Sequence, residues 1–188
     1  MMAFFNILIF FSSNSFAADP ILGKSKSQMC MSCHGENGMG ISKDIPNLAA
    51  QPALSIFYQL IQFRDGLRKG GNMENFAKAL TNEDIKDIAA YFSQLPAPPA
   101  KSGGDEIKIV LGEKIAQQNY CNSCHAVKFQ GQQQAPRLAG QSAEYFIKQL
   151  KDLRSAARID MDGNMGSAAK GLTDEEIEAL AAYAESLK

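Results

Sequence analysis

Histidine and cysteine are scarce in this 188-residue chain, with two of the first and four of the second. Charge of one sign is missing as well: the formal net charge is −1, and basic and acidic side chains are spread evenly over both halves, so no basic stripe points to nucleic acid. Beyond the first eleven residues no apolar run approaches the roughly 20 residues needed to cross a bilayer. Nor does any segment alternate convincingly with period two, which argues against strands and for helices.

The one long apolar run is Met1 to Phe11, followed by Ser12, Ser13, Asn14 and Ser15 and then Ala17-Ala18-Asp19-Pro20. This is the pattern of a secretory signal peptide over residues 1–17, with small residues at Ser15 and Ala17 for cleavage after Ala17. The absence of Lys or Arg ahead of the apolar core leaves a retained anchor as the competing reading. Cleavage would give an exported, periplasmic product that could still associate peripherally with a membrane. Export brings four cysteines into a disulfide-permissive compartment, where three pairings are open to them.

Spacing argues for a different use. The chain is written twice: Cys30-Met31-Ser32-Cys33-His34 matches Cys121-Asn122-Ser123-Cys124-His125, and Pro46-Asn47-Leu48-Ala49-Ala50-Gln51 matches Pro136-Arg137-Leu138-Ala139-Gly140-Gln141. Gln59-Leu60 pairs with Gln149-Leu150, and Leu80-Thr81 with Leu172-Thr173. Between the copies lies Pro96-Ala97-Pro98-Pro99-Ala100-Lys101-Ser102-Gly103-Gly104, stiff in its prolines and released by its glycines. The expected layout is domain 1 over residues 18–95, a linker over 96–107 and domain 2 over 108–188.

Each half reads as helical. Ile109 to Ala116, Leu54 to Leu67 and Tyr145 to Leu153 carry helix formers with apolar residues at helical spacing. Thr81 and Thr173 read as N-caps, the second with Glu176 completing a capping box. The stripes Ile85, Ile88, Ala89, Phe92, Leu95 and Ile177, Leu180, Ala181, Ala184, Leu187 each fall on one face. Two all-α domains follow. Halves of about 80 residues have marginal cores, which a covalently bound prosthetic group would staple.

Cys-x-x-Cys-His is the pattern that attaches haem: two thiols three positions apart each add to a vinyl group, and the adjacent His comes up beneath the iron. A zinc knuckle would have to straddle the repeat boundary, a redox Cys-x-x-Cys needs only one copy in a strand-containing fold, and disulfides leave both histidines unexplained. Cys30, Cys33, Cys121 and Cys124 are thus expected to hold two covalently bound haem c groups, with His34 and His125 as the first axial ligands. Because every histidine is used, the sixth ligand on each iron is methionine or nothing, water aside. Thioether sulfur favours the ferrous state. Met29, Met31 and Met39 are tethered too closely to His34 to reach the opposite haem face. Met73 remains in the first half, where Gly70-Gly71-Asn72 allow a sharp turn. In the second half Met161 and Met165 compete, and the shared pattern Met-x-x-x-Ala-x-x-Leu-Thr selects Met165.

Other repeated residues have less specific readings. The carbonyls of Pro46 and Pro136 could accept the imidazole N–H, or the prolines could simply make turns. Tyr91 and Tyr183 are expected to pack against the helix preceding each cysteine motif. Arg64 and Arg154 either pair with haem propionates or belong to a solvated helix face.

On these motifs the chain resembles the dihaem cytochromes of the cytochrome c-four family, over essentially the whole mature sequence. The resemblance implies two tandem class I cytochrome c domains facing each other and passing single electrons in a respiratory chain. Partners would be redox proteins: a membrane quinol-oxidising complex or dehydrogenase as donor, a terminal oxidase or reductase as acceptor. The alternative is a dedicated cytochrome subunit of a periplasmic dehydrogenase. An enzymatic role is not expected, since a dihaem peroxidase needs an open coordination position and a proton-transfer group beside it. Three positions depart from the repeat: Ser55 stands opposite Tyr145, Ala50 opposite Gly140, and Ala126 opposite Gly35. Met165→Leu is expected to abolish one of two thioether-to-ferric charge-transfer signals in the absorption spectrum, and Met161→Leu to leave both.

Overall fold

In a computed structural model, residues 18–188 are described; the expected signal peptide, residues 1–17, lies outside them. The first half contains α1 (Pro20–Lys26), α2 (Gln28–His34), α3 (Ala53–Arg64), α4 (Met73–Ala77) and α5 (Asn82–Ser93). The second contains α6 (Glu106–Gln118), α7 (Cys121–His125), α8 (Ala143–Arg154), α9 (Asn164–Ala169) and α10 (Asp174–Ser186), with a 3-10 turn at Val127–Phe129. Among the described residues the fold is helical, with one isolated bridge between Gln132 and Ala135 and no strand.

Local chemistry sets the helix starts. Asp19 accepts from the backbone N–H of Ile21 (2.8 Å) and Leu22 (3.1 Å), with Pro20 in the first turn where a missing N–H costs nothing. Asp105 does the same for α6. Thr81 and Thr173 each form a complete capping box, with Asp84 and Glu176 respectively. The one over Thr81 escapes a search for Glu or Gln at the third position because Asp84 does the work there.

The first and last helices of each half cross and hold the fold, α1 on α5 and α6 on α10. Glycine makes the crossing close: a Cβ on Gly23 would lie 2.0 Å from the carbonyl oxygen of Asp87, and one on Gly112 2.1 Å from that of Ala179. Tyr91 and Tyr183 lie at these crossings and are buried, as expected of packing residues. Lys26 adds an electrostatic tie, its ammonium 2.8 Å from Asp84 and 2.7 Å from Asp87 on α5. Lys26 is thereby held charged above the usual lysine range, chiefly by its bond to Asp84, whose own pKa falls to about 2.

Two separate cores result. Ile56, Leu60, Phe63, Ile85, Ile88 and Phe92 anchor the first, and Ile115, Phe129, Phe146, Leu150, Ile177 and Leu180 the second. Between them the chain from Gln94 to Asp105 makes no helix, yet it is not free: Lys101 donates its N–H to the Glu185 carbonyl at 3.0 Å, and Pro98 lies against Gly140.

Two of the three departures from the repeat sit in left-handed backbone. Ala126 has φ 62° where its counterpart Gly35 has 73°, and Ala50 has φ 56° where Gly140 has 71°. The turn geometry survives the loss of glycine, each alanine accepting strain of about 1 to 3 kcal/mol.

Gly112→Ala is expected to destabilise the protein by about 3 kcal/mol, because its new methyl meets backbone that cannot move aside. The midpoint of denaturant unfolding, followed by far-UV circular dichroism, measures the loss.

Candidate functional site

Each half builds the same pocket floor. The five residues of Cys30–His34 end α2, and those of Cys121–His125 make up α7, so that both thiols and the imidazole project from one or two helical turns. All four cysteines are free thiols. Burial pushes the Cys30 and Cys121 thiols above the ordinary range, the opposite of an activated redox thiolate. Among the described residues no group of three or more His, Cys, Asp or Glu side chains could hold a metal ion on its own. The zinc reading therefore has no donor set.

The imidazoles are buried and held by a single polar contact. His34 Nδ1 lies 2.9 Å from the Pro46 carbonyl oxygen, and His125 Nδ1 2.8 Å from that of Pro136. A carbonyl can only accept, so Nδ1 carries the proton and Nε2 keeps its lone pair. Burial lowers both histidine pKa values, which keeps the rings neutral. His125 Nε2 is buried with no hydrogen-bond partner. A lone pair left in this state is costly unless an acceptor of electron density takes it, and ring iron is such an acceptor. Of the two readings of the prolines, the structure selects the one in which they orient the histidines.

Each half also packs a partly buried methionine against its core. Met73 begins α4 and packs against the first core; Met165 lies in the first turn of α9 and packs against the second. Met161 is 62 % exposed. Free thiols beside a neutral imidazole and a half-buried thioether recur in each half, with the buried, unpartnered Nε2 found at His125, and this donor set fits a covalently attached haem.

Arg64 and Arg154 are engaged elsewhere. Arg64 donates to the Leu80 carbonyl (3.4 Å) and to Asn82 (2.8 Å), and Arg154 to the Leu172 carbonyl (2.7 Å) and Asp174. They tie α3 to α5 and α8 to α10.

The cations that matter lie four residues further on, between the halves. Arg68 donates to Gln59 of its own half and to Tyr145 (2.9 Å) and Gln149 (2.7 Å) of the other. Arg158 mirrors it, donating to Gln149 (2.7 Å) and across to Gln59 (3.1 Å). Beside this pair a second reciprocal set closes the contact. Gln51 donates to the Arg137 carbonyl (2.8 Å) and accepts its N–H (3.0 Å), while Gln141 donates to the Asn47 carbonyl (3.1 Å) and accepts its N–H (2.8 Å). The halves thus meet about a local twofold axis, through amides rather than an oily face.

Two guanidinium ions side by side with only neutral acceptors are poorly compensated. The Nε atoms of both Arg68 and Arg158 are buried without a partner, and burial, with Arg68 alongside, brings the Arg158 pKa down to about 10. Arg68 also lies over the Phe63 ring, 4.6 Å from its centroid. Such an arrangement calls for an anion. Sequence reasoning missed these residues, although Arg68 and Arg158 stand 90 positions apart, in step with the repeat.

Comparison with known proteins agrees with this geometry. The family model described as cytochrome c matches residues 109–188, and that described as cytochrome c oxidase, cbb3-type, subunit III, matches residues 25–92. The chain is 31% identical to cytochrome c4 of Azotobacter vinelandii over 91% of its own length and 90% of that protein. It is 34% identical to a thiosulfate dehydrogenase electron acceptor of Stutzerimonas stutzeri, over 82% of this chain and 76% of that one. In structure it is similar to reduced recombinant cytochrome c4 from Pseudomonas stutzeri, with a TM-score of 0.84 at 30% identity, covering 92% of this chain and all of the other.

Proposed function

The chain belongs to the cytochrome c4 family, and from that premise we propose that it carries single electrons in a periplasmic respiratory chain, towards a terminal oxidase or reductase. It is an electron-transfer protein rather than an enzyme, and its two domains each carry one covalently bound haem c. In our reading Cys30 and Cys33 anchor one group and Cys121 and Cys124 the other. His34 with Met73, and His125 with Met165, would supply the nitrogen and sulfur ligands to each iron. The domains run over residues 18–95 and 108–188, with the segment 96–107 between them.

When bound, each haem supplies a one-electron couple whose potential is raised by thioether ligation. Everything else is done by the polypeptide. The Pro46 and Pro136 carbonyls hold the imidazoles at one angle and make Nε2 a stronger donor. Met73 and Met165 would hold the iron and keep water from it. With the same two ligands in both oxidation states, the site reorganises little on each transfer. Buried Arg68 and half-buried Arg158 are the cations that would be available to the propionate carboxylates, and each bonds to both domains at once.

The observation that carries this reading is the buried imidazole, repeated in each half, whose Nδ1 is committed to a proline carbonyl beside two free thiols. A second reading, a cytochrome dedicated to one dehydrogenase, is favoured by the likeness to a thiosulfate dehydrogenase electron acceptor. Co-purification with a dehydrogenase subunit, and reduction by that partner alone, would select it.

Two results are expected of the haem-loaded protein. The ferrous form leaves carbon monoxide essentially unbound, and rapid stoichiometric binding in the visible spectrum would overturn the carrier mechanism. In spectroelectrochemical titration Arg158→Gln lowers both reduction potentials, each by ~40 mV, the equivalent of about 1 kcal/mol of lost charge interaction. A shift confined to one haem would show that the cation serves a single domain.

A further inference from the structure

The two methionine-bearing loops differ in length and in what restrains them. Five positions separate Arg68 from Met73, and seven separate Arg158 from Met165. The longer loop brings in Asp160. Its carboxylate accepts the backbone N–H of Met165 at 2.8 Å and that of Gly166 at 3.1 Å, both in a partly buried setting. These are first-turn donors of α9, which have no partner within the helix. Gly163, just ahead of the helix, has no side chain to offer them.

The first half has no such clamp. The Met73 N–H reaches the Gly70 carbonyl at 3.4 Å, a long contact. Glu74, the nearby carboxylate, turns back to the Gly70 N–H at 3.1 Å and leaves the amide of Met73 alone. Ahead of Met73 stand two glycines, Gly70 and Gly71, the second at φ 68° with open space around it. That segment is the looser by construction.

We propose that Asp160 is a positioning residue for Met165, and that its two charge-assisted hydrogen bonds make the thioether of the second domain slower to leave than that of the first. This rests on the reading of Met73 and Met165 as axial ligands. An external ligand can bind only after the native sulfur departs. Its rate therefore follows how often each loop opens. In the first domain the Met73 amide gives up one long backbone contact; in the second the amides of Met165 and Gly166 give up two bonds to a carboxylate.

The test uses the ferric, doubly haem-loaded full chain mixed with excess cyanide at constant neutral pH, with haem content checked for every variant. The wild-type protein is expected to react in two phases. Asp160→Ala accelerates the slow phase at least tenfold and leaves the fast one unchanged. Asp160→Asn, which keeps one acceptor oxygen, falls between, and Glu74→Gln changes neither phase. Met165→Leu identifies the domain, since it abolishes the slow phase by opening that position outright. If Met165→Leu leaves both phases and both charge-transfer signals intact, the ligand assignment has failed. If it removes the slow phase while Asp160→Ala and Asp160→Asn leave that phase at its wild-type rate, the inference about Asp160 alone is wrong. A wild-type trace with a single phase overturns it too.

Discussion

The bond from each imidazole to a proline carbonyl decides what the rest of the domain has to be. It fixes the tautomer and aims Nε2, and it does so only if the backbone carrying Pro46 or Pro136 comes back over the cysteine helix after a dozen residues. That return is secured by hydrogen bonds to the residues behind it. In the first half the N–H groups of Leu48 and Ala49 both reach the Gly38 carbonyl, at 2.7 and 3.0 Å. In the second, those of Leu138 and Ala139 reach the Phe129 carbonyl at 2.9 and 3.0 Å. The crossing of first and last helices then supplies the rigid frame on which these loops rest.

The join between the domains follows a different logic. Its amides bond reciprocally, so each half supplies what the other needs and the contact is specific in register without a large apolar face. Water could replace many of these bonds. The arginine pair could not be left as it is, since desolvating two like charges costs several kcal/mol unless a counter-ion is present. An acidic group bound beside them would therefore favour the docking of the halves. A join of this kind fixes the spacing of the two domains.

Much of this was legible in the residues alone. Capping threonines, helical stripes and the repeat placed the elements, and the scarcity of histidine narrowed the ligand set before any fold was drawn. Helix ends came within a few positions: Leu54–Leu67 was expected where Ala53–Arg64 is found. What stayed hidden were partnerships across long sequence distances. Arg64 and Arg154 share a helix face with good candidates for acidic groups, yet nothing local says that their neighbours Arg68 and Arg158 turn to the interface instead. Asp160 is harder still, because it lies in a loop of unequal length where the repeat has no register to offer. Repetition reveals what two halves share and is silent on what only one of them has.

The exchanged glycines show what that asymmetry has done to the fold itself. The first half keeps glycine after its histidine and has alanine at the later left-handed corner; the second has the reverse. The exchange is uneven beyond that pair, for among the described residues left-handed backbone falls on a non-glycine residue at Ala50 in the first half and at Tyr120, Ala126, Lys128, Phe129, Gln133 and Ala156 in the second. The first copy is the less strained template. A single-domain protein built on the first half, with glycine returned at position 50, would hold its imidazole loop with less stored energy than one built on the second.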